Sequence, residues 1–269
     1  MTIWEHLGEL RRRLTVIIVA LLIAVCIIYF VAPYLILFVV QPITSYITPN
    51  GEPITTLEQL QEVGKVIILN PLGGFTLRFK VSLFFAVVVT SPIWIWQIMA
   101  FFLPALKPNE RKWVLPTFFV AVVLFVIGLV FCYLVILDPA FGWMLSQTSD
   151  FATVFADANE YVMLILLFEI AFGLAFQLPL IIFYLIIFNI VPYKKLRKNW
   201  RIVYIVLLVF CAVVTPDASP VTMGLMFVAM AALYELSLLF SRIVLNKRIK
   251  TKEAEMAAAE AANEDAGDA

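Results

Sequence analysis

Long apolar runs separated by short polar connections organise the chain. Runs at 14–40, 75–102, 113–137 and 161–190 each meet or exceed the roughly 20 residues that a helix needs to cross a bilayer. A fifth run, 201–214, spans only about 21 Å at 1.5 Å per residue, against a hydrocarbon core of about 30 Å. Thr215, Pro216 and Pro220 predict a tight turn into a sixth run, 221–245. The last two runs then form a hairpin that either re-enters the bilayer or thins it locally. The expected fold is all-α: a polytopic membrane bundle of six helices, with the fifth and sixth short. One membrane domain covers 1–245, and the Ala-rich, acidic stretch 246–269 reads as a disordered or frayed-helix tail on the cytoplasmic side.

Composition closes off the soluble alternative. The 269 residues are 63% hydrophobic and 14% charged, with a mean hydropathy of +1.00, where soluble domains run at about 45–50% apolar and about 25% charged. The net charge of zero hides a segregation that sets orientation. Arg11, Arg12 and Arg13 precede the first run; Lys107, Arg111 and Lys112 follow the second; Lys194, Lys195, Arg197, Lys198 and Arg201 follow the fourth; Arg242, Lys247, Arg248, Lys250 and Lys252 follow the sixth. Basic connections stay cytoplasmic, so both ends are expected inside. The other face holds Glu52, Glu58, Glu62, Asp138, Asp150, Asp157, Glu160 and Asp217 against Lys65 alone, with Arg78 and Lys80 snorkelling from the start of the second run. In the first outer connection, 41–74, a capping box at Thr55 and Glu58 with Leu57, Leu60, Ile67 and Ile68 predicts a short amphipathic helix. Acidic Glu5 and Glu9 precede Arg11 and no small-residue cleavage site follows, so the first run is expected to be a permanent span; with no transit peptide visible, a bacterial plasma membrane is expected.

Candidate chemistry is sparse. Cys26, Cys132 and Cys211 sit in apolar stretches without CxxC spacing and read as small core residues, so neither a disulfide nor a metal is expected. With one histidine and no HExxH, GxSxG or Walker loop, no catalytic residue and no cofactor is expected; His6 reads as an interfacial residue. The segment "EHLGELRRRL" places Glu5, Glu9 and Arg13 at successive i,i+4 positions. In "SPIWIWQIMAFFLPALKPNERKW", Pro92 interrupts the second run, Pro104 ends it, and Glu110 stands beside Arg111. A carboxylate in a basic loop invites a cationic partner. Within the apolar runs, Glu169 and Glu235 are expected to face protein or a wet cavity, since a mid-depth charge costs about 2.5–3.5 kcal/mol on insertion scales. An ion-coupled secondary transporter is the alternative reading, but it calls for internal pseudo-symmetry and paired broken helices, and the sequence has neither.

The order "HLGELRRRL", "SPIWIWQIMAFFLPALKPNERK", "FGLAFQLP", "VVTP" and "YELSLLFSR", covering most of 4–242, resembles the TatC subunit of the twin-arginine protein translocase. The resemblance implies a concave six-helix bundle that binds signal peptides bearing paired arginines. It also implies small single-span partners of the TatA and TatB type, a homo-oligomeric receptor complex in membrane lipid, and export of folded proteins on the protonmotive force. No nucleic-acid partner is expected. It assigns Glu9, Glu110, Arg11, Arg13, Phe101 and Arg111 to signal-peptide binding, and Pro42 and Pro92 to shaping the chain. The family often has Glu where this chain has Gln177; Glu169, eight residues earlier, is expected to line one wet concavity together with it. Asp217 at the outer turn and Met223 and Met226 of the sixth run are the remaining expected structural or partner contacts.

Overall fold

The computed structural model describes residues 3–47, 56, 66–68, 70–102, 114–147, 156–187, 190–215 and 219–267. The first apolar run lies in α1, Ile3–Ile47, a single helix carrying Pro33 and Pro42 in its interior. Pro42 was expected to shape the connection after the span. Instead the helix continues five residues beyond it, because a proline removes only one backbone donor.

The second run is two helices, α2 (Gly73–Val89) and α3 (Ser91–Phe102), bent by 57°. The bend falls at Thr90, immediately before the Ser91–Pro92 pair at the start of α3. There the Thr90 hydroxyl turns back onto the Ala86 carbonyl at 2.7 Å, and the Trp94 indole donates to the Val87 carbonyl at 3.0 Å. A carbonyl left unpaired by the break thus acquires a partner inside the protein, as a hydrocarbon setting demands.

The third run extends past its expected end at 137. Helix α4 (Val114–Phe131) passes through a π-helical turn, Cys132–Ile136, into α5 (Leu137–Ser146), which includes Asp138. Pro139 has no N–H to give Val135, and just before it the ladder shifts register, with the Leu137 N–H reaching back five residues to the Cys132 carbonyl. The fourth run, α6 (Ala158–Ala175) and α7 (Leu178–Ile187), is interrupted at Phe176–Gln177, just ahead of Pro179. A short basic helix, α8 (Tyr193–Lys198), leads into α9 (Trp200–Val214) and then α10 (Pro220–Gly267).

Among the described residues, four segments are long and apolar enough to cross a membrane: His6–Pro42, Val114–Ser146, Ala158–Ile187 and Pro220–Ile243. The bent pair α2–α3 makes a fifth when taken as one span. Helix α9, at 15 residues or about 22 Å, falls short of that length. Phe30, Val213 and Ile243 are 83%, 78% and 69% exposed, so the chain itself leaves these apolar side chains uncovered.

The amphipathic helix expected in the first outer connection is not seen at its far end. Val66–Ile67 instead forms β1, which pairs in parallel with β2, Ala156–Asp157; most of the rest of that connection lies outside the described residues. Asp157 then caps α6 by accepting from the Asn159 N–H at 3.0 Å, and the Asn159 amide donates to the Gly73 carbonyl at 3.1 Å. These contacts join the starts of α2 and α6.

The core lies where α4 crosses α6. Phe125, Phe168 and Phe172 are buried there, and two glycines bring the backbones together. A Cβ on Gly128 would lie 2.7 Å from the Phe172 carbonyl oxygen and 3.0 Å from Gly173 Cα, so only glycine permits this approach.

Candidate functional site

The start of α1 and the end of α3 meet at the rim that carries the N-terminal arginines. His6, Glu9 and Arg13 recur at i, i+3 and i+7 and so share one face of α1, while Gln97 and Phe101 share a face of α3 at i, i+4. His6 stacks on Phe101 with ring centroids 4.3 Å apart. Arg13 bridges the helices: its Nε and Nη2 donate to Glu9 Oε1 at 3.0 and 2.5 Å, and its Nη1 donates to Gln97 Oε1 at 3.2 Å. The other carboxylate oxygen, Glu9 Oε2, is buried and has no hydrogen-bond partner among the described residues. A carboxylate with one oxygen held and one left over can accept a further cationic donor.

The structure thus joins three of the expected binding residues, Glu9, Arg13 and Phe101. Arg11 is exposed on another side of α1, with its carbonyl accepting from Thr15. Glu110 and Arg111 lie outside the described residues, as does Asp217. Gln97 and His6 were not expected at this site. Gln97 is an uncharged residue in an apolar run, and only the 57° bend of the second run turns it toward α1.

Glu169 and Gln177 occupy two separate grooves, which corrects the single concavity expected of them. Glu169, only 5% exposed, lines a groove of about 400 Å³ with Phe38, Phe85, Leu129 and Tyr133. Its Oε1 is buried and has no hydrogen-bond partner among the described residues. Gln177 lines a second groove of about 440 Å³ with Trp94, Met99 and Tyr184, and its amide donates to the Ala121 carbonyl at 3.0 Å. Midway between the two along the chain stands Gly173, at the tight crossing with Gly128.

The Glu169 groove also accounts for Pro42. A proline at 42 has no N–H for the carbonyl four residues earlier, that of Phe38. The Tyr133 hydroxyl donates to that carbonyl at 2.7 Å, and the two rings stack at 4.8 Å. Pro42 therefore frees an acceptor on α1, and the π-helical turn of the third run supplies the donor. Tyr133→Phe is expected to cost about 1 kcal/mol in this chain and almost nothing in a Pro42→Ala background, where the residue 42 N–H takes over the carbonyl. Thermal unfolding of the four chains of this cycle in detergent measures the coupling.

Glu235 was expected to face protein or a wet cavity, and it meets protein near the basic rim. It accepts from Arg197 Nη1 at 2.7 Å and from the Tyr204 hydroxyl at 3.0 Å, and the adjacent Tyr234 donates to the Leu196 carbonyl at 3.1 Å. The hydrogen bond and charge of Glu235 hold the Arg197 guanidinium above its ordinary pKa. These contacts tie α8 and α9 to α10. Met226 is fully buried in the core, so it cannot meet a partner at the surface, whereas Met223 is half-buried.

Residues 5–228 match the family model for the Sec-independent protein translocase protein, TatC. The chain belongs to the TatC family. TatC of Carboxydothermus hydrogenoformans is 29% identical over 244 residues, covering 91% of this chain and 94% of that protein. TatC of Deinococcus radiodurans is 32% identical over 243 residues, covering 90% and 86%. A crystal structure of the twin-arginine translocase receptor TatC in detergent superposes with a TM-score of 0.70 at 28% identity, covering 88% of this chain and 99% of that one. TatC proteins are components of a protein translocase and not enzymes.

Proposed function

We propose that the chain is the signal-peptide receptor and core subunit of a twin-arginine translocase. In this reading it exports folded proteins across the bacterial cytoplasmic membrane on the protonmotive force, with both of its ends cytoplasmic. The observation that carries the reading is Glu9: its Oε2 is buried and unpaired, at a rim where α1 and α3 also bring together Arg13, Gln97 and Phe101. An exposed ion pair contributes only about 0–1 kcal/mol, whereas a sheltered, charge-assisted hydrogen bond is worth about 1.5–3 kcal/mol. A guanidinium reaching Glu9 Oε2 falls in the second class. In this reading Glu110 and Arg111 also take part in binding the arginines, and the apolar stretch of the signal peptide adds contact area beside them. Arg11, exposed nearby, contributes to the basic field of the rim.

The partners in this reading are twin-arginine signal peptides, single-span subunits of the TatA and TatB type, lipid, and further copies of the chain. Glu169 and Gln177 supply the polar groups within the membrane, each in its own groove. The test is crosslinking of the receptor in membranes to one signal peptide bearing either two arginines or two lysines. Selective labelling of the arginine peptide near Glu9 is expected, and Glu9→Ala is expected to weaken its binding about tenfold. Equal labelling of both peptides, or labelling remote from α1 and α3, would remove the receptor reading.

A further inference from the structure

We infer that Gln97 is the residue that positions the Glu9 carboxylate, acting through Arg13; this rests on the reading of Glu9 as the acceptor of a ligand guanidinium. An i,i+4 pair on a single helix is too weak to hold two long side chains in one rotamer, so Glu9 and Arg13 need an anchor from outside α1. Gln97 of α3 is that anchor: its Oε1 accepts from Arg13 Nη1 at 3.2 Å while Nε and Nη2 stay on Glu9 Oε1. Three guanidinium N–H groups are then committed in one plane, and the fork geometry carries the position of Gln97 across to the carboxylate. The stacking of His6 on Phe101 pins the same two helices further toward the rim.

The result is a carboxylate that offers one oxygen in one direction. Glu9 Oε1 is spoken for and Oε2 is buried without a partner. A ligand guanidinium therefore meets a single preset acceptor, and the resident positive charge of Arg13 is held to one side. Without Gln97, the Arg13 guanidinium is free to close on both oxygens of Glu9 and to compete with the ligand for them. Discrimination between arginine and lysine depends on acceptor direction, because an ammonium is a compact charge while a guanidinium is a planar fork. Gln97, which carries no charge, thereby sets part of the selectivity.

The experiment uses the full chain in nanodiscs and one fluorescent signal peptide made in twin-arginine and twin-lysine forms, with affinities measured for the natural chain and for Gln97→Leu, Gln97→Glu and Glu9→Ala. Gln97→Leu is expected to lower the arginine-to-lysine affinity ratio about fivefold, the loss of one charge-assisted contact with partial exposure. Gln97→Glu keeps an acceptor at the same reach and is expected to retain most of the ratio. A merely structural role would weaken both peptides equally and leave the ratio in place. An unchanged ratio in Gln97→Leu, with the ratio lost in Glu9→Ala, overturns the positioning role alone. An unchanged ratio in both variants overturns it together with the receptor reading.

Discussion

Gly128→Leu is expected to prevent the bundle from closing, and Gly128→Ala to destabilise it by about 1–3 kcal/mol, the usual cost of overpacking a tight core. The added Cβ would meet backbone: the Phe172 carbonyl oxygen at 2.7 Å and Gly173 Cα at 3.0 Å, so relief requires moving a whole helix. The facing position behaves differently. A Cβ on Gly173 would meet Phe125 Cε2 at 2.8 Å and Leu129 Cδ2 at 3.1 Å, side chains and not backbone, so relief requires the buried Phe125 ring to shift but no helix to move. Alanine gains about 0.5–1 kcal/mol over glycine within a helix at either site, so the side-chain clash makes Gly173→Ala the less costly of the two. Thermal unfolding in detergent ranks the variants, and a Gly128→Ala protein as stable as the natural chain would contradict the crossing described.

Glu169→Leu is expected to raise stability by about 1–3 kcal/mol. In the natural chain a buried carboxylate oxygen has no partner among the described residues and faces a groove lined by Phe38, Phe85, Leu129 and Tyr133. Leucine has a similar size, removes the unsatisfied group and adds apolar contact. If the carboxyl serves transport, the same substitution lowers export of a twin-arginine reporter while the melting temperature rises, the trade-off typical of strained functional groups. Export and melting are measured on the same preparations, with Glu169→Gln as the isosteric control. Normal export in a normally assembled Glu169→Leu complex would reduce Glu169 to a structural residue.

Much of the helix junction proposed as the binding rim was legible in the sequence. Glu9, Arg13 and Phe101 were named from two short motifs, and coordinates place them at one helix junction. Gln97 was missed because nothing in its charge or spacing sets it apart from an apolar run; its role comes from the bend at Thr90. Met226 was left open between a structural and a partner contact, since methionines at helical spacing look alike whether they face a partner or the core, and this one is fully buried. Glu169 and Gln177 lie on one continuous apolar run, so reading along the chain joined them. They line separate grooves, each built from several helices, and that is a property of the helices together.

The sequence by itself determined that this is a helical membrane protein, where its apolar helices lie and to which family it belongs. Those properties depend on local hydrophobicity and short motifs, which a bilayer and a fixed rise of 1.5 Å per residue turn directly into helices. Tertiary structure decided the partners: Arg13 with Gln97, the Tyr133 hydroxyl with the carbonyl freed by Pro42, Glu235 with Arg197, and a separate groove for each intramembrane polar residue. Partnership depends on how far each helix is rotated and how closely it approaches its neighbour. In this chain those quantities are set by prolines that break or shift helical ladders and by glycines that let backbones touch.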